Sequence, residues 1–74
     1  MIEITNNSNT TYRMALPGVV EVDDGYRAAR HDKRSLLEDI ANARKNRHEF
    51  ATEEAFNARM EVLETALAYL RAHP

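Results

Sequence analysis

The chain has 74 residues, 43% hydrophobic and 30% charged, with a net charge of −2 and no cysteine. That length gives one small module without room for separate catalytic and cofactor domains. The absence of cysteine excludes disulfides, Cys-based zinc sites, iron–sulfur clusters and a thiol nucleophile, which leaves oligomerisation as the expected support for a marginal core.

The N-terminus runs Met1, Ile2, Glu3, Ile4 and then a polar Asn/Ser/Thr stretch. No basic segment leads into an apolar one, so no secretory signal is expected and the expected compartment is the cytoplasm. No run approaches the roughly 18 apolar residues of a bilayer-spanning helix, so no membrane association is expected. Without a secretory signal, Asn6-Asn7-Ser8 and Asn9-Thr10-Thr11 match the glycosylation tripeptide only by chance.

Residues 1–23 alternate with period 2. Ile2 and Ile4 flank Glu3; Tyr12, Met14 and Leu16 alternate with Arg13 and Ala15; Val20 and Val22 flank Glu21. These are two or three short strands. Pro17-Gly18 suits a type II turn, because proline sets the φ of its second residue and glycine tolerates the positive φ of its third. A hairpin is therefore predicted over residues 11–23, with Asn6–Thr10 as a polar connector and the first strand either paired with the hairpin or a loose arm.

From Asp24 the spacing is read as helical. Asp23 or Asp24 caps a helix over residues 25–47, with Tyr26, Ala29, Lys33, Leu36, Leu37, Ile40 and Arg44 along one face. The alternative is a later start at Ser35, which has capping-box spacing to Glu38; one continuous helix is favoured. After a loop over residues 46–51, Thr52 caps the last helix, Glu53 and Glu54 lie in its first turn, and it runs to about Arg71 with Pro74 beyond. The expected fold is a single small α+β domain: a β-rich arm and hairpin (1–23), a basic helix (24–48) and an amphipathic helix (52–72), the helices forming an antiparallel hairpin.

In the last helix Phe56, Met60, Leu63, Leu67 and Leu70 form a seam that matches Leu36, Ile40 and Ala43. A second strip, Ala55, Val62, Ala66 and Tyr69, lies about 100° round the helix. Either the hairpin covers it within the monomer, or it is a dimer interface. The small core favours a homo-oligomer, a dimer first.

The net charge conceals segregation. Residues 1–26 carry one basic and four acidic groups, residues 27–48 seven basic and three acidic, and residues 49–74 two basic and five acidic. On a continuous helix, Arg27, Arg30, Arg34, Lys45 and His48 share one sector with His31 beside it, a stripe suited to phosphate oxygens. Arg27, Arg30, His31, Arg34 and Lys45 are thus the anion-binding candidates; the competing reading is a solvated face with an Arg34–Glu38 pair.

No His-x-x-x-His spacing and no Gly-rich loop occurs, and the adjacent carboxylates are explained by helix starts and solvent faces. No enzyme, cofactor or metal is expected. A short chain with a β-hairpin, two helices and no catalytic inventory is similar in size and style to small accessory proteins of bacteriophages and mobile elements, anti-CRISPR proteins among them. The likeness carries over no residue. The leading expectation is a binding module, an inhibitor or adaptor that occupies a surface of a larger protein. The alternatives are anion, nucleotide or nucleic-acid binding through residues 27–48, and a structural subunit of an assembly.

Overall fold

The computed structural model describes residues 9–73 and, by backbone alone, residues 3–5. Ile2, Asn6–Ser8 of the expected connector and Pro74 lie outside the described residues. Four strands, β1 (Glu3–Thr5), β2 (Thr11–Leu16), β3 (Val19–Asp23) and β4 (Ala28–Asp32), form an antiparallel sheet in chain order. Two helices follow, α1 (Lys33–Lys45) and α2 (Glu53–Ala72), separated by a 3-10 turn at Arg47–Glu49. The molecule is a small α+β fold with a helical hairpin.

The β2–β3 hairpin forms where the period-2 pattern places it. Leu16 pairs with Val19 across Pro17-Gly18, and Gly18 has φ +78, the conformation that favours glycine. A register shift between Met14 and Leu16 accommodates an extra residue beside the turn. β1 is no loose arm: Ile4 pairs with Tyr12 and Thr5 with Thr11.

The predicted helix over 25–47 is corrected. Residues 28–32 are a strand, and the helix begins at Lys33. The cause lies in Asp23-Asp24-Gly25. Asp23 Oδ1 accepts the Gly25 N–H at 2.9 Å, and Asp24 Oδ1 accepts those of Tyr26 (2.9 Å) and Arg27 (3.0 Å). An aspartate N-cap makes the same kind of bond, but Gly25 has φ +93, which no α-helix propagates through. The chain therefore turns back as a hairpin, an outcome that Asp-Gly between strands favours.

α1 is capped three residues before the Ser35 start. Asp32 Oδ1 accepts the Ser35 N–H at 2.8 Å, and the Ser35 hydroxyl faces His31 Nδ1 at 3.3 Å instead of capping. α2 follows its prediction closely: Thr52 Oγ1 accepts the Ala55 N–H at 3.1 Å, with Glu53 and Glu54 in the first turn and Arg71 in the last.

Both helices lie on one face of the sheet. Tyr12 and Val20 from the sheet, Leu36, Ile40 and Ala43 from α1, and Phe56, Met60, Leu63, Ala66, Leu67, Tyr69 and Leu70 from α2 form one buried core. Each large member contributes about 1.5–3 kcal/mol by its removal from water. Leu37, expected on the buried face of α1, is exposed.

The other face of the sheet is charged. In register, Glu3 opposes Arg13, Arg13 opposes Glu21 and Glu21 opposes Arg30. The Arg13–Glu21 contact is 2.8 Å and the Arg30–Glu21 contact 3.3 Å, so opposite charges alternate directly across the strands.

Candidate functional site

The side chains of β4 determine where the surface opens into a groove. Val22 opposes Ala29 and Val20 opposes His31 on the helix-facing side. Because residue 29 is only an alanine, the space between the sheet edge and α2 is left unfilled. A groove of about 500 Å3 results. Val22, Leu36, Val62, Leu63 and Ala66 supply its apolar lining, and Thr10, Asp24, Arg27, His31 and Arg59 its polar part. Ala28 and Ala29 are both exposed beside it.

The β3–β4 turn stands at the mouth. Its Asp24 carboxylate is held below the ordinary aspartate pKa, first by the Arg27 and Tyr26 amide bonds and then by the nearby Arg27 charge. The turn is thus fixed from inside, while the Tyr26 side chain projects into solvent, 97% exposed. Among the described residues the Arg27 guanidinium has no ion-pair partner, whereas Arg59 lies 4.0 Å from Asp39.

His31 packs at the inner end. Its Nδ1 faces both Ser35 Oγ at 3.3 Å and Asp39 Oδ2 at 3.8 Å. A nucleophile–base–acid relay needs serine and carboxylate on opposite ring nitrogens, so this cluster joins β4 to α1 and lacks that catalytic geometry. Among the described residues, no three His, Asp or Glu side chains converge as a metal-binding group.

No protein-family model, curated protein or solved structure matches the chain.

The expected basic stripe is dispersed, because it required a helix that is not there. Arg27 sits in the turn, Arg30 lies over Glu21 on the outer sheet face, and His31 points to the groove. Arg34 pairs with Glu38 at 3.4 Å on exposed α1, and Lys45 stands in the last turn of that helix. His48 belongs to the 3-10 turn.

The candidate dimer strip is also divided. Ala66 and Tyr69 are buried within the chain, in the core that α2 shares with the sheet and α1. Val62 is half-buried in the groove, and Ala55 is exposed in the first turn of α2. Sequence reasoning did not find Ala28, Ala29 or Arg59. The first two were legible through the Asp24-Gly25 hairpin signal; Arg59 reaches the groove through tertiary packing alone.

Proposed function

We propose that this chain is a non-enzymatic protein-binding module, an inhibitor or adaptor, whose contact surface is the β3–β4 turn together with the groove beside β4. The observation that carries this reading is Tyr26, a large aromatic residue held almost wholly in solvent by a turn that its own aspartates make rigid. Tyrosine and arginine dominate protein-binding hot spots, and a preordered loop loses little entropy on binding. Tyr26 and Arg27 adjoin an open apolar groove, which supplies the pocket and rim that such anchors accompany. The phosphate-binding alternative is weaker, since Arg30 and Arg34 are already matched by Glu21 and Glu38.

The test places a photo-crosslinking residue at Tyr26 in the producing cell, with a second variant at Leu37 on the exposed face of α1 as control. The expected result is one discrete protein adduct from position 26 and none from position 37. A folded position-26 variant that gives no adduct, or the same set of adducts as position 37, would overturn the proposal.

A further inference from the structure

We infer that the groove beside β4 receives an extended acidic polypeptide segment of the partner, which adds to the sheet as a fifth strand. This rests on the binding-module reading and names the chemistry of its ligand.

The first ground is the backbone of β4, which ends the sheet on that side. The Asp24 N–H bonds to the Arg27 carbonyl at 3.3 Å at the turn end of the β3–β4 ladder. Antiparallel pairs alternate between bonded and non-bonded. Counting from that bond, Ala29 and His31 direct their peptide groups towards β3, while Ala28 and Arg30 direct theirs to the open side. Two donors and two acceptors are thus presented in strand geometry, the requirement for recognition by strand addition. The usual protections of an edge are weak here: Ala28 and Ala29 carry no blocking side chain, no proline interrupts the strand, and Arg30 is drawn back over the outer face by Glu21.

The second ground is charge. Arg27 and Arg59 flank the groove, and Lys33 follows β4 at its far end. Among the residues that line the groove, Arg27 and Arg59 are positive and Asp24 alone is negative. Asp24 keeps its charge, and Asp39 lies 4.0 Å from Arg59 outside the lining, so the lining itself carries an excess of one positive charge, which a segment bearing glutamate or aspartate matches. A second copy of β4 is the poorer occupant. Antiparallel self-pairing centred on Ala29 sets Arg27 beside His31, pairing centred on Arg30 sets that arginine against itself, and pairing centred on His31 leaves three residues of strand. A nucleic acid meets the same cations but leaves the strand donors and acceptors of Ala28 and Arg30 unused.

The experiment titrates isotopically labelled protein with an end-blocked nonapeptide that alternates glutamate with valine and threonine, observed by NMR. The expected result is shifts centred on Ala28 and Arg30, with amide exchange at both slowed by at least about tenfold. The same peptide with lysine for glutamate, or with its backbone N-methylated at alternate residues, should give no such change. Arg59→Glu, checked for a folded spectrum, should weaken binding by about tenfold, and Ala29→Trp should abolish it by filling the groove. Shifts confined to the outer sheet face, equal binding of the N-methylated peptide, or an oligonucleotide that displaces the probe from β4 would overturn the inference. So would concentration-dependent shifts of β4 without peptide, which would assign the edge to a second copy. If position 26 crosslinks a protein while β4 ignores every peptide, the binding-module reading stands and strand addition falls.

Discussion

Tyr26 and Asp24 divide the work of the β3–β4 turn: one side chain faces outward and the other inward. Removing Tyr26 costs the fold little, because its side chain is almost wholly exposed. We expect Tyr26→Ala to change stability by less than about 0.5 kcal/mol in urea denaturation while reducing the position-specific partner interaction severely. Asp24 behaves oppositely. Its amide bonds favour the carboxylate in the folded chain, so its pKa is depressed there. The stabilisation it gives is complete above the ordinary aspartate pKa and disappears as pH falls through the depressed folded value. A carboxyl-carbon NMR titration should place its midpoint below that of an exposed aspartate, and the Tyr26 and Arg27 amide shifts should follow the same curve. A midpoint at the ordinary value would mean that the turn is not held this way.

At the scale of elements, α2 was legible because its cap, acidic first turn and apolar seam all agree over 20 residues. The β2–β3 hairpin was legible through strict alternation and Pro17-Gly18. β4 was missed although its signal was present: an aspartate that caps a helix and one that closes a turn accept the same amide protons, and it was the glycine after Asp24, at φ +93, that favoured the turn. The candidate site was less legible than the fold for a different reason: the groove combines a turn, a strand edge and Arg59, which are remote in sequence and met only when α2 docked. The boundary between β4 and α1 is now assigned to Asp32, the last strand residue and the helix cap. Asp32→Ala should cost about 1 kcal/mol and Ser35→Ala distinctly less. Equal losses in chemical denaturation would mean that the Ser35 side chain shares the capping role.

For the molecule as a whole, Tyr12 joins the sheet to α2. It is fully buried, and burial is the first cause that raises its phenol pKa. A hydrogen bond with Thr65 opposes the shift, and the Glu61 charge adds to it. Folding therefore favours the neutral phenol. Its contribution is intact below the ordinary tyrosine pKa of about 10 and lost as pH rises through the higher folded value. Alkaline unfolding should track Tyr12 ionisation in ultraviolet absorbance, and Tyr12→Phe should shift that transition to higher pH. The core has little margin elsewhere. Leu63 is 1% exposed, and Leu63→Ala should cost about 2–5 kcal/mol, a large part of the about 4–11 kcal/mol expected for a chain of this length.

Among the described residues, α2 supplies seven of the twelve buried core side chains, against two from the sheet and three from α1. The sheet and α1 alone therefore retain a minority of the core, and ordering of the whole fold waits on the docking of α2. A fragment that stops at Thr52 should show no dispersed amide spectrum, and adding α2 as a separate peptide should restore one.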